Sequence, residues 1–417
     1  MQIAKPSNQI PNVVLEDLLG RGQAYLDQEN IREHIQGKVV MVTGAAGSIG
    51  SELCRQIAGF GPLVLMGFDQ AETPLFELGV ELEKKFPNAI FHSEIGNIMR
   101  FDDVSRTMQQ YRPSIVFHAA AHKHVPMMER HAFAAVENNI FGTLQVAEAA
   151  ASQGVESFVM ISTDKAVRPA SVLGVTKRIA ELTIRALQKT QGTKFIAVRF
   201  GNVLGSSGSV VPIFTSQVAA GGPVTVTHPE MRRYFMTASE ACQLVLQSLA
   251  LGNGGEIFVL DMGQPVKIVD LARSLILSSG FEPDRDIKIE FIGVRPGEKL
   301  FEELSLDSEH LVPTSHSRIG SLACAEKVEA RRVNASLQEL EKSVSARDHH
   351  RMIRLLKEMV PDYIPGSQLV EDAVSIDTNH RFAGDAEFSR TQGIEPAPVS
   401  GALQPDEPVE CAPPSRV

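Results

Sequence analysis

The sequence predicts an α/β chain built on a doubly wound parallel sheet, with a smaller C-terminal lobe at one end. Three observations predict it. Between Lys38 and Asn202, short runs rich in β-branched residues alternate with amphipathic stretches. A glycine triad sits at the first strand–helix junction. After about residue 202 the rhythm breaks into Gly/Ser/Pro-rich loops enclosing single strands and helices.

Residues 1–36 are mixed and polar and read as a lead-in with one or two short helices. "KVVMVTG", "PLVLMGFD", "AIFHSEI", "SIVFHAA", "SFVMIS" and "KFIAVRFG" then read as buried parallel strands, because continuous apolar runs suit a sheet covered on both faces. Between them "SELCRQIAGF", "TPLFELGVELEKKF", "FDDVSRTMQQY" and "AVENNIFGTLQVAEAAASQG" carry apolar residues at helical spacing. Residues 37–202 are thus expected to form a Rossmann-like dinucleotide-binding domain. Residues 203–326, including "EIFVLDM" and "DIKIEFIGV", are expected to be mainly the substrate-binding lobe, with later segments returning to the sheet. Residues 327–365 read as a charged helical segment. The stretch 366–417, without periodicity, reads as a disordered tail.

The 417 residues suffice for one large domain or one domain with a smaller lobe. A hydrophobic content of 43% and a charged content of 22% are ordinary for a globular chain. The formal charge of −10 argues against a general nucleic-acid binder. Cys54, Cys242, Cys324 and Cys411 are far apart, give no disulfide framework or zinc signature, and fit a reducing compartment. No apolar run approaches the roughly 20 residues a membrane helix needs. The N-terminus also lacks a secretory signal, so the expected location is cytoplasmic.

"VMVTGAAGSIGSEL" places Gly44, Gly47 and Gly50 where a turn without side chains lets the backbone approach a pyrophosphate at a helix N-terminus. Ser48 and Ile49 belong to the same turn. Asp69 ends the second strand, where an acid accepts from adenosine ribose hydroxyls and repels a 2′-phosphate; this favours NAD over NADP. Such an acid could also be a helix cap. Asn97 and Ile98 after the third strand, and Ala119 and Ala120 after the fourth, complete the expected cofactor set. His122, Lys123 and His124 read as a polar loop with no metal role.

The series "TGAAGSIG…HAAAHKHVP…NNIFGT…STDKAV…LGVTK…VRFGNVLGSSGSV…RPGEK" resembles the extended short-chain dehydrogenases. More narrowly, it resembles the nucleotide-sugar 4,6-dehydratases of bacterial polysaccharide biosynthesis, the capsule and O-antigen group acting on UDP-N-acetylglucosamine. The similarity runs from about residue 12 to about residue 362. Long members of that group carry membrane helices ahead of a linker similar to "VVLEDLLGR", so this chain resembles a soluble catalytic half.

The resemblance implies oxidation of the sugar at C4 by bound NAD⁺, loss of water across C5–C6, and return of the hydride to C6. It makes Asp164 the acid for the departing hydroxyl and Lys165 the base at C5, with Asp164 protonated and Lys165 neutral. Thr163 would hydrogen-bond the C4 oxygen, and Lys177 would hold the nicotinamide ribose. A bare Asp-Lys dipeptide could equally be a surface ion pair. Lys123, Asn202, Val203, Arg233, Arg295 and Glu298 are the implied contacts to the UDP-sugar, since guanidinium forks suit diphosphate oxygens. Arg232 reads equally well as solvated. A homo-oligomer is expected.

Leu173 departs from the wider family, which commonly has a tyrosine four residues before the lysine. Asp164, directly or through water, is then expected to take the C4 hydroxyl proton. Two other readings stay open: a UDP-sugar C5 or C4 epimerase, and a non-catalytic nucleotide-sugar-binding protein.

Overall fold

The computed structural model describes residues 26–188, 192–306, 309–323 and 329–366. All six expected runs are strands: β1 (Val39–Thr43), β2 (Val64–Asp69), β3 (Phe91–Ile95), β4 (Ile115–His118), β5 (Ser157–Ile161) and β6 (Lys194–Arg199). They pair in parallel in the order β3-β2-β1-β4-β5-β6.

Helix α1 (Gln28–Ile35) precedes β1. The crossovers carry α2 (Ser48–Ala58), α3 (Glu72–Lys85), α4 (Phe101–Tyr111), α5 (Thr143–Ser152) and α6 (Val172–Gln188). Val40 and Val42 point into a layer with Ile31, Leu53, Ile57 and Leu75, while Met41 points into the opposite layer with Val104, Met108, Val146 and Ile184. Burial on both faces is why these strands are apolar without alternation. Each such side chain contributes roughly 1.5–3 kcal/mol. The edge strand β3 is the exception: His92 and Ser93 are exposed, as suits an edge that must not recruit another chain.

The sheet extends beyond β6, further than its loop-rich surroundings suggest. β7 (Ile257–Leu260) pairs in parallel with β6, β9 (Ile319–Ala323) runs antiparallel to β7, and β8 (His310–Pro313) antiparallel to β9. "EIFVLDM", expected in the second lobe, therefore supplies a central strand, with all four residues of β7 buried. What stays outside the sheet includes α7 (Val210–Ala219), α9 (Ile268–Ser278) and the pair Val224–Val226 with Ile289–Phe291. These pack around Phe214, Leu271, Leu275 and Ile287. Helix α8 (Ala238–Leu251) instead covers α1 and α2 through Leu244, Val245 and Leu249.

The charged helical segment is two helices, α10 (Ala330–Ser345) and α11 (His349–Met359). Their apolar stripes, Leu337, Leu340, Met352 and Leu356, lie in one cluster with Val172, Leu173 and Ile179 of α6. Of the lead-in, α1 is described and buries Ile31 and Ile35. Residues 1–25, and 367–417 of the expected tail, lie outside the described residues. Among the described residues no helix is long and apolar enough to cross a membrane.

Candidate active site

The strand order reverses between β1 and β4, and sheets of this kind bind ligands outside the carboxyl ends of their strands at that point. Gly44 leaves β1 with φ of 68°, in the left-handed region that glycine enters without penalty. A Cβ there would lie 2.6 Å from the Ala120 nitrogen, so glycine is what lets the turn touch the loop after β4. Gly47 caps α2 without a side-chain acceptor, which leaves the first amides and positive end of the helix for a ligand.

The crevice has a cavity volume of about 150 Å³ and is lined by Gly44, Gly47, Asp69, Asn97, Ile98, Ala119 and Ala120 of the expected cofactor set. Ser48, Ile49 and Gly50 form the first turn of α2 beside it. The Asp69 carboxylate accepts the Ala46 N–H at 2.9 Å through one oxygen and the Ala71 N–H at 2.9 Å through the other. It therefore ties the glycine turn to the start of α3 as well as lining the crevice.

Beneath the loop after β4 runs a buried polar chain that the sequence does not announce. The Thr143 hydroxyl donates to the Asn139 carbonyl at 2.8 Å, so it accepts from His118 Nε2 at 2.9 Å. His118 Nδ1 then accepts the Thr43 hydroxyl at 2.8 Å. Burial, and then Lys177, push the His118 pKa down to about 3, so the ring is neutral. A π-helical turn, Glu137–Gly142, breaks the expected continuous helix and buries Asn139. Its side chain accepts the His122 N–H at 2.8 Å and donates to the His122 carbonyl at 3.1 Å, clamping the loop. Lys177 on α6 is 4% exposed, and burial, opposed by Glu181, lowers its amine to about 8.

Asp164 and Lys165 open a single 3-10 turn, Asp164–Ala166, three residues beyond β5. Asp164 is fully buried and the Lys165 side chain is 18% exposed, with Nζ 2.9 Å from Asp164 Oδ1. The ion pair exists, but inside the site rather than on the surface. Thr163 donates its hydroxyl to the same oxygen at 3.0 Å, and Lys165 Nζ also donates to Asn202 Oδ1 at 3.1 Å. Asp164 Oδ2 is buried with no partner.

Burial lowers the Lys165 pKa, but Asp164 and then Glu302 outweigh it, and the amine ends above its ordinary value. The neutral lysine expected of a base is not the resting form; two carboxylates hold its proton.

Behind this turn lies a charged cluster that the sequence reading missed. Arg199 at the end of β6 is fully buried. It donates bidentately to Glu181 at 2.7 and 2.7 Å and to Glu309 at 2.8 and 3.1 Å. Arg178 adds contacts at 3.0 and 3.2 Å to the same two carboxylates. Ser162 donates to Glu181 at 2.7 Å, so the cluster holds the residue ahead of Thr163. Leu173 is 5% exposed in the α6 core cluster and brings no proton-transferring group.

Asn202 and Val203 pair with Phe235–Met236 and place Asn202 against Lys165. Arg233 differs from expectation. Its guanidinium donates to the carbonyls of Arg232, Leu300 and Lys299 at 2.7, 3.2 and 2.7 Å. Arg232 is half-buried, not solvated, with Nε buried and unpartnered. Arg295 is exposed and 4.0 Å from Glu298, whose side chain is 17% exposed. Lys123 is exposed and makes no described contact with the Asp164–Lys165 pair. Glu302, which the sequence reading also missed, is 9% exposed beside Arg233. Cys54 and Cys242 are free and buried. Among the described residues no group of three His, Cys, Asp or Glu is placed to hold a metal.

Residues 40–323 match the family described as "Polysaccharide biosynthesis protein". "Probable polysaccharide biosynthesis protein EpsC" of Bacillus subtilis is 53% identical over 75% of this chain and 53% of its own length. The chain thus spans about half of that curated relative. The "UDP-N-acetylglucosamine 4,6-dehydratase (inverting)" of Campylobacter jejuni is 32% identical over 66% of this chain and 80% of its own. A "UDP-glucose 4-epimerase" of Rickettsia rickettsii is 33% identical over 65% and 79%. Among solved structures, Pen from Bacillus thuringiensis aligns with a TM-score of 0.64 at 34% identity, over 70% of this chain and 90% of that one. DesIV, a dTDP-glucose 4,6-dehydratase from Streptomyces venezuelae with NAD bound, shares the fold with a TM-score of 0.57 at 23% identity, over 64% and 88%.

Proposed function

This chain belongs to the polysaccharide biosynthesis protein family, and we propose that it is an NAD-dependent 4,6-dehydratase of a UDP-N-acetylhexosamine, with UDP-N-acetylglucosamine as the substrate. The observation that carries this reading is the buried Asp164–Lys165 pair beyond β5, with one bare carboxylate oxygen. The relative named a UDP-N-acetylglucosamine 4,6-dehydratase supports it.

The crevice fits NAD. The side-chain-free contact of Gly44 with Ala120 opens backbone to a pyrophosphate, and Asp69 stands where it would accept from ribose hydroxyls and repel a 2′-phosphate. Lys177 would hold the nicotinamide ribose. When bound, NAD supplies the acceptor for the C4 hydride and its donor at C6.

The proton steps follow from the pair. Asp164, with Oδ2 bare, takes the C4 hydroxyl proton as that carbon is oxidised, the step for which Leu173 offers no group. Neutralising Asp164 removes the main counter-charge of the Lys165 ammonium. Lys165, 18% exposed, then sheds its proton to water and becomes the base that removes the C5 proton made acidic by the 4-ketone. Asp164 returns its proton to the C6 hydroxyl as water leaves. After C6 is reduced, Lys165 reprotonates C5 and then takes back from water the proton it had shed, restoring the ammonium. One proton travels from C4 oxygen to the departing water, and one leaves and rejoins C5.

The epimerase relative keeps a second reading in view.

The test is incubation of purified protein with UDP-N-acetylglucosamine and NAD. The expected product has lost one water with no net NADH formed. An unchanged mass with inverted stereochemistry would make the protein an epimerase, and binding without turnover would make it a binding protein.

A further inference from the structure

We propose that Glu302 is a positioning residue for Lys165, the carboxylate that keeps its amine strongly basic once Asp164 has been neutralised. This rests on the dehydratase reading and extends it to a residue outside the Asp-Lys pair.

The geometry begins with how the turn carrying Glu302 is fastened. Lys299 Nζ donates to the Val167 carbonyl at 2.9 Å, and Arg168 meets Glu303 at 2.7 Å. Both contacts join this turn to the one that carries Asp164 and Lys165. Arg233 fastens its other side through the Lys299 and Leu300 carbonyls.

Glu302 sits within these tethers with its side chain 5% exposed, 3.9 Å from Arg233. Its Oε2 is buried without a partner. A buried carboxylate with only a long contact to one arginine is costly unless another cation uses it. The tethers hold this turn against the one that carries Lys165, and among the charges acting on that amine Glu302 is the carboxylate besides Asp164 that favours its ammonium. Burial first, and then Asp164, raise Glu302 by more than Lys165, Arg233 and Lys299 lower it, so its carboxyl ends above its ordinary value.

In the proposed reaction Asp164 holds a proton while Lys165 works. Glu302 is then the remaining carboxylate to stabilise the ammonium formed when the C5 proton arrives. Its removal should leave a base that is free at lower pH but weaker, so that it removes the C5 proton more slowly.

The experiment is the pH profile of kcat for dehydration in wild type, Glu302→Gln and Glu302→Asp. In Glu302→Gln the acid limb should move down by roughly one pH unit, as expected for losing one nearby charge, and the plateau should fall about tenfold. Glu302→Asp should restore the limb. A plateau that falls with the limb unmoved marks a merely structural residue and overturns the proposal.

Labelling of Lys165 by dinitrofluorobenzene against pH, read by mass spectrometry, gives the same comparison without turnover. Its midpoint should drop in Glu302→Gln and recover in Glu302→Asp; an unchanged midpoint overturns the proposal. If the midpoint shifts in protein that forms no dehydrated sugar, the charge role stands and the dehydratase reading falls.

Discussion

Replacing Arg199 with methionine isolates the cluster behind the active turn. The variant removes four short hydrogen bonds and leaves Glu181 and Glu309 with Arg178. Burial raises the Glu181 pKa, but Arg199, with help from Arg178 and Ser162, brings it from 4.5 down to about 2. At 1.36 kcal/mol per unit, the net gain of the ionised carboxylate is worth about 3 kcal/mol. Breaking one partner of a buried pair costs about 3–5 kcal/mol, which agrees.

The pH dependence is a sharper signature. Wild type holds the full Glu181 contribution above 4.5 and loses it as pH falls through about 2. In the variant an under-partnered buried carboxylate has its pKa raised and takes up a proton on mild acidification. The deficit should therefore be about 3–5 kcal/mol near pH 7 and should narrow toward about pH 5. Urea unfolding followed by far-ultraviolet circular dichroism measures it. A deficit below about 1 kcal/mol, the range of an exposed pair, or one that widens with acid, would refute the reasoning.

Two further outcomes follow from the same site. Burial depresses the Lys177 amine from 10.5 to about 8, so its contribution is present above 10.5 and lost as pH falls through 8. The protein without NAD should gain stability between pH 8 and 10.5, and Lys177→Met should be more stable near pH 7 by about 3 kcal/mol while losing turnover. Urea unfolding at several pH values checks this, and a destabilised variant contradicts it. In Gly174→Ala the new Cβ would lie 2.2 Å from the Lys165 carbonyl oxygen. Overpacking of backbone against backbone should cost about 1–3 kcal/mol and lower turnover by shifting Lys165. Unchanged melting and unchanged rate would contradict the packing.

How much of this was legible depends on how local each feature is. The first six strands were readable because burial on both faces makes each an uninterrupted apolar run. β7 has the same character, yet the loops around it concealed that it joins the main sheet. The glycine turn and Asp69 were legible from spacing, while the second use of Asp69, pinning Ala46 and Ala71, needed the fold.

Asp164 and Lys165 stood out by position, but the charge state of the lysine also depends on Glu302 and Arg233, distant in sequence, whose charges act on it only after folding. The Arg199 cluster joins residues 18 and 110 positions apart, and no spacing rule reaches that far. A guanidinium fork suits diphosphate oxygens, which is why Arg233 stands out as a diphosphate contact; carbonyls of the 299–300 turn engage it, and that turn is more than 60 residues away in sequence.

The central assignment is that the amine of Lys165 removes the C5 proton after C4 has been oxidised. A single turnover of Lys165→Met with UDP-N-acetylglucosamine and stoichiometric NAD, run in deuterated water, tests it most directly. Enzyme-bound NADH and a 4-keto sugar that keeps its C6 oxygen and takes no deuterium at C5 are the predicted products. A 4-keto-6-deoxy sugar labelled at C5 and formed at the wild-type rate would contradict the account.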